Sequence, residues 1–141
     1  MYNFFRPKPG RFGVAPVVLT VKPDFGTLAA GTVVHNLGSI PSKAYISKIS
    51  ISAGTFPDAA TSIAATFRKK PSGTAVALTS AIDIDGKTAG TAVAGSFLAA
   101  ATDAQRTLNP GETLELSVVT TGAVSVQPVD LVVSVELLVL E

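Results

Sequence analysis

The last third of the chain alternates apolar and polar residues at a period of two, and this feature constrains the fold most. Leu114, Leu116 and Val118 share one parity, while Glu115 and Ser117 share the other. Residues 129–141 continue the alternation with five apolar residues on one face: Leu131, Val133, Val135, Leu137 and Val139. Because side chains of a strand point alternately to opposite faces, the pattern predicts two strands of a two-layer β-structure.

Turn signals divide the rest of the chain into further short strands. Asn109-Pro110-Gly111 precedes the first alternating run, and in such turns proline presets φ while glycine accepts a positive φ. Similar turns separate candidate strands at residues 17–21, 32–35, 44–53, 75–84 and 91–98. A break in the alternation predicts a β-bulge near Ser47. The spacing is typical of a β-sandwich with about eight strands.

Residues 57–70 permit two interpretations. Pro57 and Asp58 suit the start of a helix that would carry Ile63 and Phe67 on one face. The same residues also fit a loop followed by a strand at 62–69. We favour the strand, because Pro-Ser-Gly at 71–73 lies between two Thr- and Ala-rich runs and is good hairpin-turn chemistry. Residues 99–107 are predicted to form a loop or a single helical turn.

The chain carries few charges. Of its 141 residues, 47% are hydrophobic and 15% are charged, whereas globular proteins average about 25% charged residues. Few surface charges mean weak self-repulsion, which favours a surface that lies against other protein. The length fits one domain that needs no metal or disulfide to fold, and we assign residues 17–141 to a single β-sandwich domain.

Residues 1–16 differ in composition and are predicted to form an extended N-terminal arm. The segment holds four of the nine Phe and Tyr residues, and no acidic residue precedes Asp24. Three prolines and two glycines exclude a regular helix and disfavour a central strand. Exposed aromatic side chains are costly in water, so the arm should dock on its own sandwich or on a partner. The candidate partner-binding residues are Tyr2, Phe4, Phe5, Arg6, Arg11 and Phe12.

Composition also limits compartment and redox chemistry. There is no cysteine, so disulfides and thiolate chemistry are excluded. The first ten residues lack the apolar core of a signal peptide. The most apolar run, near the C-terminus, is interrupted by polar residues and is too short to span a bilayer. We therefore expect synthesis in the cytoplasm and no membrane partner.

No constellation in the sequence predicts catalysis or a bound cofactor. His35 is the only histidine, and no Gly-x-Ser-x-Gly nucleophile elbow accompanies it, so we interpret it as a turn or edge histidine. Too few ligand residues are available for a histidine-based metal site. Asp83 and Asp85 precede a glycine as in a calcium loop, but Ala94 stands where the chelating acid is required. We predict no enzyme activity, no cofactor and no metal.

One basic triplet, Arg68-Lys69-Lys70, could contact phosphates together with the cations of the arm. Nucleic-acid-binding domains usually carry a larger basic excess than the formal net charge of +1 found here. We therefore interpret these residues as solvated or protein-contacting, and predict no nucleic-acid partner.

The order of these segments resembles small head-decoration, or cement, proteins of tailed bacteriophages. The resemblance rests on the proline-bearing aromatic arm, the strand with alternating isoleucines, the Thr/Ala hairpin, residues 78–84 and residues 108–116. The resemblance covers most of the chain and lies in the order and composition of its segments. It implies a jelly-roll-like antiparallel β-sandwich.

In function, the resemblance implies a structural protein of the virion. Such a protein binds the outside of the capsid, contacts the major capsid protein, forms a dimer or trimer with itself and cements neighbouring capsomers. Alternatives are a tail or head-fibre β-module and a non-viral β-sandwich binding module. A carbohydrate-binding module is poorly supported, because the chain has no Trp and only two Tyr residues. A small hydrolase built around His35 would require that residue for its activity.

Overall fold

The computed structural model describes residues 15–140, which form twelve strands and one four-residue helix. In chain order the strands are β1 (Ala15–Val21), β2 (Gly31–Ser39), β3 (Ala44–Ser52), β4 (Asp58–Ala59), β5 (Ser62–Lys70), β6 (Val76–Ala77), β7 (Ile82–Asp83), β8 (Val93–Ala94), β9 (Thr107–Leu108), β10 (Thr113–Thr121), β11 (Val124–Val126) and β12 (Val132–Val139). The helix, α1 (Asp103–Arg106), lies between β8 and β9.

The strands form two larger antiparallel sheets and one small pair. The first sheet has the order β1-β12-β3, and both β8 and β9 pair with the far side of β3. The second sheet has the order β2-β10-β5, and both β6 and β7 pair with the far side of β5. β4 and β11 pair with each other as a separate two-stranded sheet.

The strand order is that of a jelly roll. β6 with β7, and β8 with β9, each occupy one interrupted position, so the two sheets contain eight strand positions. Numbered along the chain, these positions run 1-8-3-6 in the first sheet and 2-7-4-5 in the second. An eight-position double sheet with this order is a jelly roll. The predicted all-β sandwich of about eight strands is therefore confirmed.

One apolar core lies between the two sheets. The buried face predicted from the alternation in the last third of the chain is confirmed. Leu114, Leu116 and Val118 are buried, as are four residues of the final run: Leu131, Val133, Val135 and Leu137. Phe67 of β5 is fully buried beside Leu116, its register partner in the second sheet. Because Phe67 belongs to the strand Ser62–Lys70, residues 57–70 follow the favoured strand interpretation and contain no helix.

Two further local predictions are confirmed. The register between β3 and β12 pairs Glu136 with Lys48 and Leu137 with Ile46, which leaves Ser47 as the extra residue of a bulge. The turn before β10 closes through a hydrogen bond from the N–H of Glu112 to the carbonyl of Asn109 at 3.0 Å, and Gly111 has a φ of +85°. A positive φ at the third turn position is the reason that glycine is required there.

Other predicted boundaries differ from the structure. The candidate strands at 75–84 and 91–98 are shorter than expected, since only the two-residue pairs β6, β7 and β8 form within them. The segment 99–107 contains the helical turn α1, whose Thr102 hydroxyl accepts a hydrogen bond from the N–H of Gln105. β1 begins at Ala15, two residues before the arm boundary assigned from the sequence.

Candidate functional site

The partner-binding residues predicted from the arm lie outside the described residues. Tyr2, Phe4, Phe5, Arg6, Arg11 and Phe12 all precede Ala15, where the description of the structure begins. Their assignment to a partner contact stays a prediction. The other candidate functional surfaces lie on the sandwich itself.

Exposed apolar side chains occur at three places on the sandwich. Val17 and Val18 lie on β1, with 47% and 61% of their surfaces exposed. The other exposed large apolar residues are Val34 and Val119 on the second sheet and Val126 and Val129 near the β11 end. The second-sheet pair lies on the outer face, because Val34 is opposite Ser117 in the register and Val119 shares the parity of Ser117. These patches can contact protein, but none of them contains a reactive group.

A groove of about 310 Å³ lies between the segments 22–26 and 128–131. Lys22 and Asp130 approach within 3.7 Å at its rim, and both are well exposed. The carboxylate of Asp24 accepts a hydrogen bond from the N–H of Gly26 at 2.8 Å. These groups therefore stabilise the loops that line the groove, and they place no nucleophile beside a base.

His35 points toward the core from an edge strand. Its partner in the register is the buried Leu116, and its ring meets that of Phe25 edge-on at 4.2 Å between centroids. Burial lowers the pKa of His35 below its ordinary value, and the charge of Asp24 opposes part of this effect. Its Nε2 atom is buried and has no hydrogen-bond partner among residues 15–140. Within this range no serine or carboxylate hydrogen bonds to the ring, which supports the edge-histidine interpretation.

The basic triplet does not form a basic patch. Arg68 and Lys70 point outward and flank one carboxylate, with the Arg68 Nη2 at 3.0 Å and the Lys70 Nζ at 3.9 Å from oxygens of Glu115. Lys69 points the other way and is buried. Two charges are thus paired and the third faces the interior, which leaves little to attract a phosphate backbone.

Lys69 ties the end of the second sheet to the helical turn. Its Nζ donates to the carbonyls of Ala104 at 3.3 Å and Thr107 at 3.0 Å, and it lies 3.5 Å from a carboxylate oxygen of Glu112. A buried ammonium needs such partners because an unpaired charge in the interior is strongly unfavourable. The role of Lys69 is therefore structural.

Arg106 performs a similar task on the first sheet. Its guanidinium lies 3.7 Å from the ring centroid of Phe97 and 4.7 Å from that of Tyr45. It donates hydrogen bonds to the carbonyls of Ile46 and Ser47, at the bulge of β3. Cation–π stacking and a bidentate fork favour arginine at this position. The contact fastens the segment between β8 and β9 to the sheet.

The acidic loop at 83–86 uses its carboxylates for local structure. Asp83 accepts from the N–H of Asp85 at 3.0 Å, and its other oxygen lies 2.7 Å from the Nζ of Lys87. Asp85 accepts from the N–H of Ala59 at 2.8 Å. Across residues 15–140, no group of three or more His, Cys, Asp or Glu residues is arranged to hold a metal ion.

Sequence reasoning missed the structural roles of Lys69 and Arg106. Lys69 has the same parity as Ile63 and Phe67, and this was the available signal that its side chain points inward. Arg106 follows Thr102 by four residues, and the Thr102–Gln105 capping box could have indicated the helical turn that carries it. Its contact with a bulge sixty residues away had no local signal.

The comparisons with known proteins add no assignment. Within the described residues, no helix is long and apolar enough to cross a membrane. No protein-family model matches the sequence, and neither a curated protein nor a solved structure matches the chain significantly.

Proposed function

We propose that this protein is a non-enzymatic structural component of a phage virion. It binds the outside of the capsid, contacts the major capsid protein, cements neighbouring capsomers and associates with itself as a dimer or trimer. The observation that carries the proposal is the jelly-roll strand order in a chain with 15% charged residues. This combination supplies a stiff body with a surface suited to lying against other protein.

The engagement of the polar side chains supports the same function. The polar side chains singled out in the sequence have structural contacts: His35 meets Phe25, Asp83 bonds within its own loop, and Lys69 bonds to the helical turn. The exposed side chains include valines on β1 and on the outer face of the second sheet. A structural protein that binds through its shape and its exposed apolar surface requires no catalytic site.

The arm is proposed as the main capsid contact. Its aromatic residues Tyr2, Phe4, Phe5 and Phe12 would act as buried anchors, and Arg6 and Arg11 as hydrogen-bonding clamps. Deletion of residues 1–13 leaves all of β1 in place, because the strand begins at Ala15. We expect the truncated protein to fold and to lose binding to capsids. Full occupancy on shells would contradict this role of the arm.

Two arm variants separate the contributions of the anchors and the clamps. Replacing the four aromatic residues with Ala should abolish binding at every salt concentration, because apolar burial is not screened. Replacing Arg6 and Arg11 with Ala should weaken binding most at low salt, where charge contacts are strongest. Equal binding by both variants and the unaltered chain would contradict the proposed contact.

Copy number in purified particles tests the function as a whole. Quantitative mass spectrometry should give a simple ratio between this chain and the most abundant shell protein. A few copies per particle would instead assign the chain to a tail, fibre or vertex, and would remove the cement function. Absence from the particles would overturn the virion assignment and favour a non-viral binding module.

A further inference from the structure

The four lateral edges of the two sheets are protected to different degrees. The far side of β5 carries the interrupted pair β6 and β7, and the far side of β3 carries β8 and β9. β2 is continuous, but its register shifts between its contacts with Leu114 and Glu115, and Gly38 there has a φ of +102°. Short strands and bulges are the usual means of preventing unwanted pairing at a sheet edge. Three of the four edges therefore carry such protection.

The edge formed by β1 lacks this protection. β1 pairs with β12 over seven consecutive residues with no register shift. Its sequence, Ala-Pro-Val-Val-Leu-Thr-Val, contains no charge. Pro16 lies near the start of the strand, so every residue from Val17 onward keeps a backbone N–H donor. A long, uncharged, regular edge is a template for strand addition.

The core is also incompletely covered beside β1. Val17 is opposite Leu137, a buried residue, so its side chain lies on the core side of the sheet. It nevertheless exposes 47% of its surface. On the outer side of the same strand, Val18 exposes 61%. A neighbouring strand at this edge would cover both valines, one from each face.

We propose that β1 pairs with β1 of a second copy of this chain, antiparallel, about a two-fold axis that passes beside Val18. The two first sheets then form one continuous sheet, with a self-complementary interface of the kind that two-fold symmetry requires. In this register Val18 lies opposite itself, Val17 lies opposite Leu19, and Pro16 lies opposite Thr20. Apolar side chains therefore meet apolar side chains on the core side.

The charge distribution agrees with this register. No charged residue lies within Ala15–Val21, so the ladder opposes no like charges. The nearest cation, Lys22, is near Asp130 in its own chain. The two copies of Lys22 lie at opposite ends of the ladder, eight residue steps or about 26 Å apart. This separation is well beyond the screening length of about 8 Å at physiological salt.

The inference deepens the proposed function, because it names the surface through which the homo-oligomer forms. It rests on that function only for the place of the dimer on a particle. The pairing itself is tested with the full chain in solution, without particles. Failure of self-association and failure of capsid binding are therefore separate results.

Disulfide cross-linking tests the register, and the absence of cysteine from the chain makes single-cysteine variants unambiguous. The Val18→Cys variant should form covalent dimers on mild oxidation, because residues opposite each other in a ladder lie within disulfide reach. The Thr20→Cys variant is the matched control on the same face of the strand. Its two copies would be four residue steps or about 13 Å apart, too far for a disulfide. Equal cross-linking of both variants would overturn the register.

Sedimentation analysis tests the surface. The unaltered chain should show a concentration-dependent rise above the 14.3 kDa of one copy. The Val18→Lys variant places two like charges at the axis and should weaken dimerisation by roughly tenfold or more. Val34→Lys, at an exposed valine of β2, should leave it unchanged. A chain that stays monomeric at millimolar concentration would overturn the proposal, as would equal weakening by both variants.

Discussion

Polar side chains in this sandwich differ widely in how much stability is lost when they are replaced, even between neighbours in sequence. Lys69 and Lys70 are adjacent, yet Lys69 is buried while the side chain of Lys70 is 44% exposed. Strand alternation alone produces this difference. A sequence pattern that groups the two lysines as one basic cluster therefore joins residues with opposite roles.

Replacing Lys69 with Met should destabilise the fold by about 1–3 kcal/mol, because the carbonyls of Ala104 and Thr107 lose their buried donor. The matched Lys70→Met variant removes a long contact of 3.9 Å from an exposed ammonium, and Glu115 keeps its closer partner Arg68. Its stability should stay within about 0.5 kcal/mol of the unaltered chain. Urea unfolding of both variants measures the difference. Equal effects of the two substitutions would contradict the structural role of Lys69.

His35 should make stability depend on pH. Because burial lowers its pKa in the folded state, the unfolded chain binds a proton more readily than the folded one. The stability that His35 contributes in its neutral form is fully present above about pH 6.5, its pKa in the unfolded chain. It is lost as the pH falls through the lower pKa of the folded state. The His35→Phe variant keeps an aromatic contact with Phe25 and cannot titrate.

Thermal unfolding between pH 7.5 and 5 is the measurement for His35. The unaltered chain should lose stability over this interval, and the His35→Phe variant should lose less. At lower pH, Glu112 adds a second loss. Burial raises the pKa of Glu112, but hydrogen bonds from Asn109 and the charge of Lys69 outweigh that effect and hold it below its ordinary value. Parallel pH profiles for the two proteins would exclude His35 as the titrating group.

At the level of elements, corners and turns set how the strands meet. Gly122 follows β10 with a φ of +86°, and a Cβ there would lie 3.1 Å from the Cβ of Ala60. Gly73, in the turn after β5, has a φ of +66°, and a Cβ would meet nothing within 4 Å. Both positions need a left-handed backbone, but only the first is also crowded.

The Gly122→Ala variant should therefore lose more stability than Gly73→Ala. The control carries only the left-handed strain of an L-residue, about 1–2 kcal/mol. At Gly122 the same strain adds to the close contacts with Ala60 and Thr61. Chemical denaturation of the two single variants gives the comparison. Indistinguishable midpoints would show that the corner relaxes freely.

Sequence patterns predicted the long elements better than the short ones. The strands that contain Ile49, Leu116 and Val135 were predicted because each buries one face, and burial imposes alternation. The strands β6 and β8, which begin at Val76 and Val93, have two residues each, too few for any period to appear. Their positions depend on β5 and β3, to which they bond, and a local pattern carries no information about such partners.

For the molecule as a whole, alternation predicted two layers but not the order of strands within them. Nothing local to β1 indicates that it pairs with β12, more than one hundred residues away. The contacts of Arg106 with Tyr45 and Phe97 have the same character, since they depend on the folded positions of three segments. The aromatic arm was the clearest candidate site in the sequence, and its six candidate residues lie outside the described range.

The single core makes unfolding cooperative. Phe67 is fully buried and belongs to the cluster to which both sheets contribute. The Phe67→Ala variant should lose about 3–5 kcal/mol, and hydrogen exchange should show both sheets losing protection together. The exposed Val34→Ala variant is the control and should change stability by less than about 0.5 kcal/mol. Loss of protection in the second sheet alone would indicate two separate folding units.

The pairing of Ala15 with Val139 has a mechanical consequence. Ala15, at the start of β1, and Val139, at the end of β12, lie side by side at one end of the ladder. The ladder hydrogen bonds run perpendicular to the strands. Tension between these ends therefore loads the bonds one pair at a time, and the sheet opens like a zipper from Ala15 toward Val21. A force that pulls β1 and β12 in opposite directions along their axes would instead load all the hydrogen bonds of the ladder at once. The sandwich should thus yield at low force in the first direction and resist in the second.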